Sequence, residues 1–408
     1  MTLEEAHALD AAEPLAFAKT RFRLPEGVLY LDGNSLGALP AATPSALTEV
    51  AERQWGDDLV TSWNKHGWID APSRVAALLA PIVGARPSEL LIADSTSVTL
   101  FKLLAAAVQA RPGRSVILSE DGNFPTDLYV AQGLAGLLPH LSVKTVPAAD
   151  VAAAIDCDTA VVMLTHVDYR GGTVHAMAAI NAAAHAAGAL NLWDLSHSAG
   201  ALALDLAGAG CDLAVGCGYK YLNGGPGAPA FLFVAQALQD ELHSPLSGWM
   251  GHADPFAFEP GHRPAAGIAR FLTGTPSILA IAALEAGLRT FAGIAMADVE
   301  AKSLALSQLF VDEVERRCGD HLRLASPRDP ALRGSHVVFA HPHAYAVMQA
   351  LIERGVIGDF RTPDLIRFGF APLYTRFAEV WRAADILADI LARKAWDRPE
   401  HRARKKVI

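Results

Sequence analysis

Short runs of apolar residues recur through the middle of the chain and alternate with helical patterns. Each run is too short for a typical helix, and most are apolar nearly throughout, which is typical of strands buried on both faces of a parallel sheet. An alanine-rich helix, residues 176–185, separates two of them. The alternation predicts an α/β domain in which helices cover both faces of a mostly parallel sheet. The runs span residues 115–118, 141–146, 160–164, 189–193, 213–215 and 230–234.

The pattern differs at the two ends of the chain. The N-terminal part predicts a helical approach segment at 1–25, a short strand and turn at 28–37, and then helical patterns to about residue 110. A long helix at 278–291 leads out of the sheet domain, and a smaller α+β pattern follows. We therefore predict three parts: an N-terminal segment (1–50) contributing to the small domain and the functional site, a large α/β domain (51–290) and a small C-terminal α+β domain (291–408).

Charge and composition exclude several classes of partner. The 408 residues carry a net charge of -9, which argues against nucleic acid as the main partner. The N-terminus lacks the basic region and apolar run of a signal peptide, and no apolar stretch approaches bilayer length, so we expect a cytoplasmic protein. None of the four cysteines forms a CxxC pair or stands near a histidine at metal-ligand spacing, so we expect no metal site.

Charged residues follow two of the predicted strands. Asp194 and His197 end one run, and Lys220 comes 26 positions after Asp194, between two tyrosines and before a glycine-rich turn. In an open α/β sheet, ligands bind at such strand ends. Pyridoxal phosphate needs a lysine amine for a Schiff base and a carboxylate for its pyridinium nitrogen, and Lys220 and Asp194 supply both. A lone lysine is as a rule a surface residue, but the neighbours of Lys220 argue against that alternative.

Two further turns suit the rest of such a cofactor. The segment ADSTSV (93–98) leads into a helix predicted at 99–110, where Thr96 and Ser97 could cap the helix and bind a phosphate. The segment FPTD (124–127) precedes another helix, and its aromatic ring could stack on a pyridine ring. Plain helix capping explains both segments equally well.

Taken together, the motifs resemble those of the kynureninase family, which has the fold-type I architecture of pyridoxal-phosphate enzymes related to aspartate aminotransferase. The resemblance covers nearly the whole chain, in family order. No single motif is decisive, whereas the set is specific. Its members are YLDGNSLG (30–37), FPTD (124–127), WDLSH (193–197), GYKYLNGGPG (218–227), GWMGH (248–252), FLTGTP (271–276) and IRFGFAPLY (366–374).

The resemblance implies a role for each matching residue. Lys220 would carry pyridoxal phosphate as the Schiff base, Asp194 would pair with the pyridinium nitrogen, and His197 would lie beside it. The resemblance also implies a homodimer with shared active sites, in which Trp249 and Thr275 reach the site from the second subunit. The remaining cofactor-binding residues implied are Thr96, Ser97, Phe124, Pro125, Thr126, Asp127, Thr165 and Tyr219.

On the substrate side, the resemblance assigns Arg367 to the α-carboxylate of an amino acid, where a guanidinium suits bidentate pairing. Asn34 and the segment WNKHGW (63–68) would line the substrate side, with His66 as a candidate contact for the substrate ring. A hydrogen-bonded histidine at a helix end is an equally good interpretation of His66.

The implied reaction is hydrolysis of L-kynurenine, or of 3-hydroxy-L-kynurenine, to anthranilate or 3-hydroxyanthranilate and L-alanine, in tryptophan degradation or the synthesis of NAD precursors. Lys220 would remove the α-proton after the substrate displaces it from the cofactor. Tyr219 is our candidate proton relay, since a phenol beside the phosphate and Lys220 could have a shifted pKa.

Three alternatives share parts of this pattern. A cysteine desulfurase or selenocysteine lyase would keep the lysine, histidine and aspartate, but a desulfurase needs a nucleophilic cysteine late in the chain, where only Cys318 stands, in what we interpret as a helix end. An aminotransferase would not predict the motifs at Trp249 and 30–37. A catalytically inactive binding protein of the same fold would not need Lys220, Asp194 and Arg367 together.

Overall fold

The fold was analysed in a computed structural model, which describes residues 1–405. The strands of these residues are β1 (Phe22–Arg23), β2 (Leu29–Tyr30), β3 (Leu39–Pro40), β4 (Leu90–Ala93), β5 (Val116–Glu120), β6 (Ser142–Val146), β7 (Thr159–Thr165), β8 (Leu190–Asp194), β9 (Leu213–Gly216), β10 (Ala230–Val234), β11 (Arg323–Leu324), β12 (His336–Ala340), β13 (Val356–Ile357), β14 (Asp359–Arg361) and β15 (Leu365–Gly369). The last three residues of the predicted C-terminal domain, 406–408, lie outside the described residues.

Helices connect most of these strands and cover the sheets. They are α1 (Leu3–Ala12), α2 (Thr43–Thr48), α3 (Ser62–Lys65), α4 (Ala71–Val83), α5 (Thr96–Gln109), α6 (Pro125–Leu137), α7 (Val151–Ala154), α8 (Met177–Ala186), α9 (Ile278–Leu288), α10 (Met296–Cys318), α11 (Ala344–Glu353), α12 (Phe377–Ala392) and α13 (Pro399–Arg402). A π-helical segment, Glu49–Asp57, continues α2.

The large sheet has seven strands in the order β4-β10-β9-β8-β7-β5-β6. Strands β9, β8, β7, β5 and β6 run parallel, whereas β10 runs antiparallel to both of its neighbours. The predicted α/β class with a mostly parallel sheet is therefore confirmed. The carboxyl ends of β5, β7, β8 and β9 meet at one edge of this sheet, which is where ligands bind in open α/β folds.

Both faces of the large sheet are buried under helices. Along β10, Phe231 and Phe233 pack into one apolar cluster with α4 and α9, and Leu232 and Val234 pack into the other with α5 and α6. This two-residue alternation is what a strand requires when each face contacts its own layer. The sheet domain therefore has three layers, with a core on each side of the sheet.

One strand of this sheet contradicts the sequence prediction. Residues 90–93 lie in the region predicted to be helical up to about residue 110, yet they form β4 and pair antiparallel with β10. Their run of four apolar residues fits a buried helix and a buried strand equally well, so the prediction was wrong because the deciding partner lies far along the chain. The following helix, α5, begins at Thr96 and not at residue 99.

A second core lies in the C-terminal part of the chain. An antiparallel sheet in the order β11-β12-β15-β14 packs against α10, α11 and α12. The N-terminal segment joins this core through Ala6 and Leu31, and the carboxylate of Asp10 accepts hydrogen bonds from Phe377 N (2.7 Å) and Ala378 N (3.1 Å) at the start of α12. Strand β2 also pairs with β13. The boundaries 1–50, 51–290 and 291–408 stay predictions.

Within the described residues, no single helix is long and apolar enough to span a bilayer. Two consecutive helical segments, Ile278–Phe291 and Met296–His321, pass this test only when taken together, and the chain bends by 84° between them. Within residues 1–405, we find no cluster of three or more His, Cys, Asp or Glu side chains arranged to hold a metal ion.

Candidate active site

Lys220 and His197 meet at the carboxyl edge of the large sheet. Lys220 follows β9, His197 follows β8, and the Lys220 Nζ lies 3.0 Å from the His197 Nε2. Burial, and then the charge of Lys220, hold the pKa of His197 well below its ordinary value. The imidazole is therefore neutral, and its Nε2 accepts a hydrogen bond from the lysine amine.

Two buried carboxylates lie in the same group. Asp194 ends β8, and one of its oxygens accepts a hydrogen bond from Ser196 N at 2.7 Å. Burial raises the pKa of Asp194, and burial together with the charge of Asp194 raises the pKa of Asp127 well above its ordinary value. Lys220 lowers both pKa values, so the lysine and the carboxylates share one electrostatic site. The Asp127 Oδ2 is buried without a hydrogen-bond partner, which leaves an acceptor for a cationic N–H group.

The start of α6 is fixed by a residue that the sequence reasoning missed. The amide oxygen of Asn123 accepts hydrogen bonds from Phe124 N (2.8 Å) and from the Thr165 hydroxyl. The Phe124 ring meets Tyr169 edge-on, with centroids 5.2 Å apart, and its centroid lies 6.0 Å from the Lys220 Nζ. The structure therefore brings Phe124, Thr165 and Lys220 together. Pro125 and Thr126 are half-buried in the first turn of α6.

The first turn of α5 is where the sequence predicts an anion site. The N-cap residue is Ser95, so the capping role predicted for Thr96 and Ser97 is wrong, because the helix starts three residues earlier than expected. Thr96 and Ser97 lie half-buried in the first turn, whose backbone N–H groups have no partner within a helix. No side-chain oxygen of Ser95 caps them.

Tyr219 lies directly before Lys220, and its ring centroid is 5.9 Å from the lysine Nζ. Burial, followed by the nearby Cys217 and Asp194, raises the pKa of the Tyr219 hydroxyl. The phenol is therefore protonated at neutral pH and can donate a hydrogen bond or a proton. The upward shift makes the phenol a weaker acid than a free tyrosine, so the shift itself favours a hydrogen-bond donor.

Arg367 is almost completely buried, and protein groups hold most of its N–H donors. Asp359 accepts from Nε (2.9 Å) and from Nη2, the Tyr169 carbonyl accepts from Nη1 (2.6 Å), and the Ser35 hydroxyl lies 3.1 Å from Nη2. The Asn34 amide oxygen, turned toward the guanidinium, lies 3.0 Å from Nε and 3.1 Å from Nη2. Asp359 therefore occupies the Nε and Nη2 side of the guanidinium, and Nη1 keeps a second N–H. The predicted bidentate binding of a substrate carboxylate stays a prediction.

The turn at residues 32–37 packs between Lys220 and Arg367. Gly37 N donates to the Tyr219 carbonyl at 2.8 Å, and a Cβ at Gly37 would lie 2.4 Å from the Lys220 carbonyl oxygen. At the other end of the turn, Asn34 and Ser35 contact Arg367. The N-terminal segment thus contacts both the lysine and the arginine, and only a glycine fits at position 37.

His336 is a second residue that the sequence reasoning missed. It begins β12, is fully buried, and has no hydrogen-bond partner on either ring nitrogen. Its ring centroid lies 5.3 Å from that of His197. Burial, and then the charge of Arg367, lower the pKa of His336 to about 3, so the ring is neutral. It belongs to the small domain, yet it lies directly behind the histidine that contacts Lys220.

Three predicted residues lie outside this group in a single chain. His66 is the C-cap residue of α3, and its Nε2 lies 2.7 Å from the Asp58 Oδ2, as a hydrogen-bonded histidine at a helix end would. It lines a groove of about 250 Å³ with Trp68 and Arg74. Thr275 is exposed and lines a cavity of about 400 Å³.

Trp249 is 38% exposed and meets Phe256 edge-on. The single chain therefore does not bring Trp249 to Lys220, and its cofactor role stays a prediction that needs a second subunit, as does that of Thr275.

The arrangement fits pyridoxal phosphate. The site offers a half-buried amine on Lys220, the buried carboxylate of Asp194, an unpartnered carboxylate oxygen on Asp127, and the start of a helix for an anion. The amine matches the aldehyde of the cofactor, the two carboxyl groups match its pyridinium nitrogen, and the start of the helix matches its phosphate.

Comparisons with known proteins agree on one family. A family model described as the kynureninase C-terminal domain matches residues 299–387. A kynureninase of Pseudomonas fluorescens is 51% identical over 413 residues, which cover 100% of this chain and 99% of that protein. A kynureninase of Burkholderia mallei is 52% identical over 414 residues, with the same coverage of both chains.

Solved structures share the fold at low sequence identity. A cysteine desulfurase of Thermococcus onnurineus matches with a TM-score of 0.80 and 19% identity, covering 93% of this chain and 98% of its own. A variant of C-DES, with glycine covalently linked to its pyridoxal phosphate, also has a TM-score of 0.80 and 19% identity, covering 91% of this chain and 99% of its own. At these identities the likeness shows the fold alone.

The buried His336 makes stability depend on pH. Its folded pKa of about 3 lies below the ordinary value of 6.5, so between these pH values the unfolded chain binds a proton that the folded chain does not. The free energy of unfolding should therefore fall as the pH falls, and at about pH 5 this group should cost about 2 kcal/mol relative to neutral pH. Urea unfolding of the wild type and of His336→Gln between about pH 7 and pH 5 should show a shallower loss in the variant.

The matched control is His140→Gln, since His140 is exposed. Its pH profile should follow that of the wild type. Parallel profiles for the wild type and His336→Gln would contradict a neutral, buried imidazole.

Proposed function

The chain belongs to the kynureninase family, and we propose that the buried group around Lys220 is its active site, which hydrolyses L-kynurenine to anthranilate and L-alanine with pyridoxal phosphate as cofactor. The observation that carries this assignment is the Lys220 amine beside the buried carboxylates of Asp194 and Asp127. The reaction places the enzyme in tryptophan degradation or in the supply of NAD precursors, as its family implies.

Pyridoxal phosphate, when bound, joins covalently to amines and withdraws electrons from the α-carbon of an amino acid. The chain's part is to orient it and to keep its ring cationic. Asp194 lies where its carboxylate can pair with a ring N–H, and Phe124 supplies an aromatic face near Lys220. Thr96, Ser97 and the first-turn N–H groups of α5 would bind the phosphate.

Lys220 is the proposed acid–base group at the α-carbon. Its hydrogen bond to the neutral His197 gives the amine a fixed direction without a competing positive charge on the imidazole. Hydrolysis adds water at the γ-carbonyl and breaks the Cβ–Cγ bond, so a proton must be delivered to the alanine fragment. Tyr219, whose ring centroid lies 5.9 Å from the Lys220 Nζ, is the proposed donor of that proton.

Arg367 is the proposed anchor for the substrate carboxylate. Asp359 is fully buried, and although burial alone would raise its pKa, Arg367 holds that pKa below its ordinary value. The carboxylate of Asp359 is therefore charged and fixes the guanidinium plane. This leaves the Nη1 edge, next to the Tyr169 carbonyl, as the part of Arg367 available to a ligand.

The desulfurase alternative lacks its nucleophile. Cys318 ends α10 and is buried, and burial raises the pKa of its thiol to about 11. Cys211 and Cys217 are also buried. The exposed Cys157 lies just before β7, at the amino end of a parallel strand and so at the opposite edge of the sheet from Lys220.

A homodimer with shared active sites is the second part of the proposal. Trp249, Phe256 and Phe258 form an exposed aromatic group, with 38%, 63% and 79% of their surfaces accessible. Such a patch is typical of a protein interface, and it contains one of the two residues predicted to reach the partner's site. Sedimentation of the purified enzyme measures this state, and a monomer at working concentration would rule it out. The cytoplasmic location stays a prediction.

The proposed activity is tested by the release of anthranilate from L-kynurenine, followed by its fluorescence. The wild type should release it with pyridoxal phosphate bound, and Lys220→Ala should lose about a thousandfold or more in kcat, because the acid–base group is removed. The exposed Lys144→Ala is the matched control and should retain full activity. No anthranilate from the wild type would refute the proposed function. The same assay, run with 3-hydroxykynurenine, gives the ratio of kcat/KM that defines substrate preference.

The proton-delivery role of Tyr219 predicts a change in kcat. Tyr219→Phe keeps the ring but removes the hydroxyl, and kcat should fall about a hundredfold with saturating pyridoxal phosphate. Full turnover under those conditions would leave Tyr219 with cofactor binding alone.

The pairing of Asp359 with Arg367 predicts a change in KM. Asp359→Asn turns an amide N–H toward the guanidinium, so the arginine loses its orientation, and KM for L-kynurenine should rise about tenfold or more with a smaller change in kcat. Glu313→Gln is the matched control, since Glu313 is a buried carboxylate that pairs with Arg317 on α10. It should lower the free energy of unfolding and leave KM unchanged. Equal KM in the wild type and Asp359→Asn would contradict this role.

A further inference from the structure

Lys102 is a buried lysine in the middle of α5 that the proposed mechanism does not use. Its side chain has no exposed surface. The Nζ forms an ion pair with Asp94 and donates to the Phe271 carbonyl at 2.9 Å. Lysine is almost never fully buried unless it is paired, because removing its charge from water is costly. The two acceptors therefore belong to a specific arrangement.

The first acceptor lies at the entrance to the phosphate-binding turn. Asp94 has a positive φ of 49°, a conformation that residues other than glycine seldom adopt, and it directly precedes the N-cap Ser95. Its carbonyl accepts from Ala230 N at 2.9 Å. With its backbone tied to β10 and its carboxylate tied to Lys102, Asp94 fixes the direction in which α5 presents Thr96 and Ser97.

The second acceptor lies at the base of the segment that carries Thr275. Phe271 is fully buried, and the chain leaves it toward Thr273. Met250 N donates to the Thr273 carbonyl at 3.2 Å, and a Cβ at Gly248 would lie 2.1 Å from that oxygen. The segments around Trp249 and Thr275 therefore pack as one unit, which Lys102 attaches to α5.

We propose that Lys102 is a positioning residue that couples the two cofactor sites of the dimer. Through Asp94 it shapes the phosphate-binding turn of its own subunit. Through Phe271 it fixes the unit that carries Trp249 and Thr275 into the partner's site. The inference rests on the proposed function, since it takes from there both the cofactor and the shared sites.

The first test separates positioning from stability. Lys102→Met should raise the dissociation constant of pyridoxal phosphate about tenfold or more. It should also destabilise the fold, because the buried Phe271 carbonyl loses its donor and Asp94 loses its ion pair. In the double variant Asp94→Asn with Lys102→Met, the unpaired charge is gone, so the urea midpoint should recover in part while cofactor binding stays weak. Equilibrium dialysis of the holoenzymes measures the first quantity, and urea unfolding measures the second.

A matched control exists in the small domain. Lys302 lies on α10, and its Nζ pairs with Glu13 at 2.5 Å, with 6% and 9% of the two side chains exposed. Lys302→Met should lower the urea midpoint without changing cofactor affinity. If Lys302→Met weakens cofactor binding as much as Lys102→Met, or if affinity returns with stability in the double variant, Lys102 is a structural residue only and the proposal fails.

The second test uses hybrid dimers of differently tagged subunits. A wild-type subunit is paired with a subunit that carries both Lys102→Met and Lys220→Ala. Only the wild-type subunit then has the reactive lysine, and its own phosphate-binding turn is intact. The segments with Trp249 and Thr275 that reach this site come from the altered subunit. The dissociation constant of pyridoxal phosphate at that site should exceed the value in a reference hybrid, with Lys220→Ala alone, about threefold or more. Equal values would overturn the coupling between subunits.

The two proposals fail in different ways. A wild-type enzyme that releases no anthranilate, or binds no pyridoxal phosphate, refutes the proposed function. A wild type that does both, together with hybrids of equal cofactor affinity, refutes the role of Lys102 alone.

Discussion

The parallel register of the large sheet is the constraint on which the site depends. Parallel strands place all their carboxyl ends at one edge, so polar residues that follow separate strands must meet there. Thr165 and Asp194 end neighbouring strands as direct Cα partners, and the groups that follow β5 and β9 come to the same edge. Short segments far apart along the chain thus form one site, with Asn123 and Phe124 from β5, Asp194 and His197 from β8, and Tyr219 and Lys220 from β9.

Burial explains why the charged groups of this region lie beside groups of opposite charge. Lys220 lies with two carboxylates, Arg367 with Asp359, and Lys102 with Asp94. An ion pair in a protein interior contributes little net stability, whereas a single buried charge is costly. The pairs therefore select one arrangement of the site more than they strengthen the fold, and each element that supplies a partner is held to that arrangement.

The sequence was sufficient for the sheet class and for the group of Lys220, Asp194 and His197, because apolar runs locate the strands and the polar residues follow them directly. It was insufficient where the deciding neighbour is distant. Residues 90–93 become a strand only by pairing with β10. Asp359 looks like an ordinary strand residue until Ser35, 324 positions away, packs on it. His336 likewise gives no local signal, since its burial arises where the two domains meet.

Part of the N-terminal segment packs in the core of the C-terminal part of the chain, and this sets an order for folding. Ala6 and Leu31 lie in the same apolar cluster as Phe368 and Leu387, and Gly369 N donates to the Leu31 carbonyl at 2.8 Å. During synthesis on the ribosome, Ala6 and Leu31 must therefore wait for the large sheet to be made, because their partners emerge last. The arginine site is completed only when Ser35 meets Arg367, 332 positions later, so the parallel strands can pair before the arginine site is complete.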